Sequence, residues 1–252
     1  MLELAQAGRL TAISCLSTHA AWRRAAPALA GLPLHVSRGL HFNLSEGAPL
    51  STELRRIWPQ LPGLAWLIAA AHARQLPLAA IAAEWRAQWA AFVDASGHMP
   101  GHVDGHQHVH QLPGVRDVVL AALPQGVAVR HTGRVSGPGF AFKRSVIAAT
   151  GGRALGHALR LRGVPHNTVL GGVYDFTARV DYRALMQRWL QALPATGGLL
   201  FCHPGPARAE PGDAIGPARA REAAYLASGA FVDDLREAGV SLVAPAQRPS
   251  AG

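Results

Sequence analysis

Apolar and polar positions along this chain alternate between two rhythms. Short apolar runs that read as strands fall at Thr11–Ser17, within Leu34–Leu44, near His102, at Gly126–Arg130, at Gly197–His203 and at Gly239–Pro245, with a weaker candidate at Leu170–Phe176. Between them the spacing becomes helical. Ile81, Trp85, Trp89 and Phe92 share one face, which predicts an amphipathic helix over Leu78–Ala95 with its tryptophans in the core. Pro113 is placed as a first-turn proline of a helix carrying Val115, Val118 and Val119 on one side. Further helices are expected over Asp181–Leu193 and Pro217–Ala238.

This β-α alternation argues for a mostly parallel sheet with helices outside it, either a barrel or an open doubly wound sheet. No internal repeat or linker divides it, so residues 1–252 read as one domain. The Gly/Pro-rich stretches Gly133–Phe142 and His203–Pro217 follow strands and read as long βα loops of the kind that build active sites. The chain opens inside a helix, "MLELAQAG", with Gly8 as its C-cap and no strand before it. In such an alternation that helix connects from an earlier strand.

The strongest chemical signal is "HVDGHQHVH", His102 to His110. On an extended strand His102, Asp104, His106, His108 and His110 point one way and the residues between them the other. Five side chains spread over roughly 26 Å cannot all reach one ion, whose bonds are about 2.0–2.2 Å, so at most two or three serve it. A metal site using part of the cluster and a polar strand face with one or two useful histidines both fit. Three-ligand catalytic sites need donors from elsewhere in the chain. His41, in "RGLHFNL", and His203, in "FCHPG", lie at the ends of apolar strands, where the chemistry of α/β barrels collects.

Composition narrows the picture. Hydrophobic residues make up 49% of the chain and charged ones 15%, values of a folding globular protein. The net charge of +9 comes mainly from arginines scattered through Ala- and Leu-rich helices, without a basic tract or an aromatic-basic platform, so a nucleic-acid partner is not expected. Cys15 and Cys202 lie in apolar segments and build neither a disulfide framework nor a cysteine zinc site. Neither a signal peptide nor an 18-residue apolar run is present, so the expected setting is a reducing cytoplasm.

"GLHFNLSEGAPLS" at Gly39–Ser51, "GHVDGHQHVHQLPGV" at Gly101–Val115 and "FCHPG" at Phe201–Gly205 together resemble the YdjC-like carbohydrate deacetylases, and "ELAQAGRLTAISCLS" and "GVYDF" fit the same pattern. The resemblance implies a hydrolase on a distorted (β/α) barrel, TIM-barrel-like, that removes acetyl groups from N-acetylated sugars with a divalent ion, zinc or magnesium. It implies His41 and His106 as metal ligands and Asp104 as a supporting carboxylate that orients a ligand histidine. It further implies His203 as proton donor to the leaving amine or holder of the acetyl oxygen. His108, and with it Arg130 at the end of its strand, would face the sugar. A homodimer is one assembly this reading admits.

The family carries an "ADD[FY]G"-type stretch at the end of its first strand, and this sequence has none. "MLELAQAGRL" aligns with the helix after it, so the expectation is a barrel shortened by its first strand and both carboxylates. Two other readings remain: a metal- or sugar-binding relative or inert fragment without turnover, and a different barrel hydrolase such as an amidohydrolase or metal phosphoesterase.

Overall fold

Four short strands, β1 (Ala12–Cys15), β2 (Ser37–Phe42), β3 (His102–Gly105) and β4 (Ala128–Val129), pair in that order, every pair parallel. This computed structural model describes residues 1–177, 179–208 and 213–244. Two further strands, β5 (Val169–Gly171) and β6 (Gly198–Leu200), form a separate parallel pair. Isolated parallel bridges, Val129 to His166 and Val135 to Leu170, bring the two sheets together. The fold is therefore α/β with parallel strands; among the described residues the strands do not close into a barrel.

The apolar rhythm explains the layers. Leu40, Phe42 and Val103 are fully buried and belong to one cluster with Ile81, Trp85 and Phe92 of the Leu78–Ser96 helix. Burying each such side chain is worth about 1.5–3 kcal/mol, which is ample to dock the helix on the sheet. A second cluster joins Tyr174, Tyr182, Met186 and Trp189 to Leu226 and Phe231, and Leu4 of the opening helix packs into it. The C-cap of that helix is Ala7 rather than Gly8, and Gly8, one residue on, takes the left-handed turn at φ 69°.

Several expectations need correction. The helix after the histidine cluster is Val115–Ala121, and Pro113 precedes it, because Gly114 at φ 78° takes the N-cap. The Pro217–Ala238 span is two helices, Gly216–Ala227 and Gly229–Glu237, broken where Ser228 turns extended. Gly239–Ala244 forms no strand, and Pro245 lies outside the described residues. An apolar run becomes a strand only where a neighbour supplies a hydrogen-bond ladder, and none does so here among the described residues.

The largest correction concerns the histidine string. Strand β3 ends at Gly105, and His106–Gln111 form a 3-10 turn. Gln107 (φ 49°) and His108 (φ 63°) are consecutive left-handed residues. A Cβ on Gly105 would lie 2.6 Å from His110 Nδ1 and 2.7 Å from its backbone nitrogen, so only glycine lets the chain fold back this tightly. The five alternating side chains therefore do not share one face.

Candidate active site

Register places the site. His41 on β2 is the direct neighbour of Asp104 on β3, at the C-terminal ends of both strands. His41 Nδ1 donates to Asp104 Oδ1 at 2.6 Å, and Arg130, just beyond β4, reaches Oδ2 at 2.7 Å. The Ser14 hydroxyl donates to the same Oδ2 at 3.1 Å. Burial opposes the Asp104 charge, but Arg130 and His41 overcome it and hold the carboxyl well below the usual range. The ionised carboxylate thus accepts a hydrogen bond from the Nδ1–H of His41, which leaves Nε2 as the unprotonated ring nitrogen.

His106 lies beside His41. Their ring centroids are 5.5 Å apart at 76°, and His106 Nε2 meets Glu46 Oε2 at 2.9 Å. Glu46 owes its place to a polar network beneath the "NLSEGAPLS" loop. Asn43 Oδ1 accepts the backbone N–H groups of Ser45 and Glu46, and buried Glu84 accepts those of Leu50 and Ser51. Gln88 accepts from the Asn43 amide and donates to its carbonyl.

The remaining histidines of the string are held inside. His102 lies between the hydroxyls of Ser14 (3.0 Å) and Ser37 (2.7 Å), over Gly39, and burial pushes its pKa down to about 4. His110 Nε2 donates to the Arg130 carbonyl at 2.8 Å, and burial also pushes it down to about 4. His108 Nδ1 accepts from Arg130 at 3.3 Å, and its ring meets Phe201 edge-on at 5.9 Å.

Arg130 was expected to face a sugar. Instead its guanidinium is buried among Asp104, the Gly105 carbonyl and His108, with the Phe201 ring 5.6 Å away, so it braces the site from within.

His203 follows β6 on the far wall. Its backbone N–H donates to Glu222, which also accepts from the Tyr174 hydroxyl. The ring packs against Phe176 (5.1 Å) and Phe201 (5.4 Å), and its Nδ1 is buried without a hydrogen-bond partner. Burial, reinforced by Arg219 and Arg130, pushes its pKa down to about 3. Glu222 escaped the sequence reading. The signal was a carboxylate in the stripe Ala218, Glu222, Leu226, where an apolar residue belongs.

The structure therefore brings His41, Asp104, His106, His108, Arg130 and His203 to one end of the strands. Among the described residues, no three His, Cys, Asp or Glu side chains converge as a metal cage. His41 and His106, the two ligands expected from the sequence, stand side by side with ring centroids 5.5 Å apart, and His106 Nε2 is engaged by Glu46. Asp104 is already held by His41, Arg130 and Ser14, and among the described residues no further His, Cys, Asp or Glu completes a three-donor group with these histidines. No helix among the described residues is long and apolar enough to cross a membrane.

Comparison with known proteins agrees with the motifs. A chitooligosaccharide deacetylase of Klebsiella pneumoniae (strain 342) is 34% identical over 138 residues, 52% of this chain and 51% of that protein. A carbohydrate deacetylase of Danio rerio is 36% identical over 94 residues, 35% of this chain and 30% of that protein. The chain thus matches about half the length, or less, of these curated relatives. In three dimensions it resembles a crystal structure of an Enterococcus faecalis V583 protein named for cellobiose-phosphate cleavage, with TM-score 0.70 and 17% identity over 97% of this chain and 90% of that one. The sequence profile described as YdjC-like protein matches residues 1–237, nearly the whole chain, and with the three motifs now placed around one site, the protein belongs to that family.

Proposed function

We propose that this protein hydrolyses the N-acetyl amide of a carbohydrate, releasing acetate and a free amine, on strands arranged as a distorted (β/α) barrel. The observation that carries this reading is the pairing of buried Asp104 with part-exposed His41, braced by Arg130 and set beside His106 at the strand ends. The names of the relatives support the same substrate class.

In this reading Asp104 keeps the proton on His41 Nδ1, so that Nε2 presents a lone pair outward. His41 and His106 would hold a divalent ion, zinc or magnesium, which when bound supplies an acidified water and a polarised carbonyl. His203, kept neutral by burial, offers an N–H to the acetyl oxygen or the departing nitrogen rather than a full positive charge. His108 and Phe201 form a wall against which the acetyl group rests, and Arg130 positions Asp104. Both cysteines are free, in keeping with a reducing cytoplasm.

The test is acetate release from N-acetylglucosamine oligomers, with zinc or magnesium added, by the wild-type chain and by His41→Ala and His106→Ala. Turnover that falls at least 100-fold in both variants is expected; turnover equal in wild type and variants would refute the assignment. The two-donor set favours a second reading, a metal- or sugar-binding relative without turnover. Calorimetry showing saturable metal binding that His41→Ala removes, with no acetate released, would select it.

A further inference from the structure

A second convergence of charge lies on the other side of the chain from Asp104. His131 directly follows Arg130, and in extended backbone consecutive side chains point opposite ways. Arg130 turns to Asp104, whereas the His131 backbone N–H donates to Asn167 Oδ1 at 2.7 Å and its ring lines a cavity of about 350 Å³. The other side chains around that cavity are Arg134, Arg153, Arg160, His166 and Thr168; none is a carboxylate. Among the described residues none of the three arginines forms an ion pair.

Two glycines, Gly133 in the cavity lining and Gly156 in the neighbouring helix, make room for the His131 ring. A Cβ on Gly133 would lie 2.6 Å from His131 Nε2, and one on Gly156 would lie 2.2 Å from it. Only glycine at both positions admits the imidazole, which meets the His166 ring edge-on at 5.7 Å. The result is a hollow ringed by three solvent-exposed guanidinium groups with no carboxylate among them; the His131, His166 and Thr168 side chains already donate to the carbonyls of Asn167, Val164, Thr196 and Gly197 and serve as its wall.

We propose that this cavity binds a small phosphate-type oxyanion, either inorganic phosphate or a phosphate monoester. Guanidinium forks match phosphate oxygens in bidentate pairs, and like charges converging on a hollow focus the field where a dianion sits. The volume is near the lower end of the roughly 300–1,000 Å³ of ligand pockets, which fits a small anion and not a long chain. The inference stands apart from the deacetylation reading, because it needs neither the metal nor turnover.

The experiment is calorimetric titration of the full chain with inorganic phosphate and with glycerol phosphate at low ionic strength. Wild type is compared with Arg153→Gln/Arg160→Gln and with a control that removes equal charge from an exposed helix elsewhere, Arg23→Gln/Arg24→Gln. Saturable one-to-one binding, weakened at least tenfold in the first variant and unchanged in the control, is expected. Tighter binding of glycerol phosphate identifies an ester as the ligand, and equal binding identifies free phosphate. In the wild-type protein the imidazole NMR signals of His131 and His166 should shift on the same titration, which needs no variant to fold. Binding that never saturates, equal weakening in both variants, or a short oligonucleotide binding more tightly than either anion and lost in the same variant would overturn the proposal.

Discussion

Gly39→Ala tests whether His102, the first histidine of the string, is a packed strut rather than a ligand in waiting. A Cβ at position 39 would fall 2.1 Å from His102 Nε2, 2.3 Å from Cε1 and 2.4 Å from Cδ2. Ordinary contact begins near 3.4 Å, so the ring has to retreat by roughly 1 Å, and overpacking of this kind costs about 1–3 kcal/mol. The ring is not free to retreat, because Ser14 and Ser37 hold its two nitrogens at 3.0 and 2.7 Å. Losing one of these bonds adds about 1 kcal/mol. The expected destabilisation is therefore about 2–4 kcal/mol, read as a lower urea midpoint at unchanged slope. Truncating the ring removes the obstacle, so His102→Ala/Gly39→Ala should be less destabilised than the two single changes summed, by at least about 1 kcal/mol. A Gly39→Ala protein within 0.5 kcal/mol of wild type, or strict additivity in the cycle, would refute the argument.

Asp104→Asn leaves Arg130 buried without its carboxylate and should cost about 3–5 kcal/mol at pH 7. Because the Asp104 pKa is held down in the fold, wild type should lose this advantage as pH falls below about 4. Urea unfolding of both proteins at pH 7 and pH 3.5 checks this, and a gap that does not narrow at the lower pH contradicts it. His102 and His110 at about 4 and His203 at about 3 bind fewer protons folded than unfolded. Stability should therefore fall as pH drops from about 6.5 toward 4; a flat pH profile would exclude this. Tyr174→Phe removes a donor from buried Glu222 and should cost about 1–3 kcal/mol, lowering Tm by several degrees in a thermal melt. An unchanged Tm would show that the hydroxyl does not matter.

Local pattern and tertiary consequence were legible to different depths. Among the described residues the apolar runs located all six strands, and the Ile81, Trp85 and Phe92 spacing located the Leu78–Ser96 helix to within a residue. The motifs pointed to His41, Asp104, His106 and His203, which the fold gathers. What failed was the inference from alternation to extension. Period-two spacing of histidines says nothing about the backbone once Gly105 permits a reversal and Gln107 and His108 accept left-handed angles. Glu222 and the inward turn of Arg130 were hidden for another reason. Both are set by partners 19 to 48 positions away, and no local window contains them.

The Asp104 hub also constrains how the protein comes to exist. Its partners Ser14 and His41 lie 90 and 63 residues earlier in the chain, and every strand pairing around it is parallel. Each of those links closes a long loop before any contact rewards it, so the hub should assemble late and folding should be slow. Until then Arg130 and four apolar strand segments stay open to other chains. Dilution and low temperature during refolding should therefore govern the yield of site-competent protein more strongly than any change to the site itself.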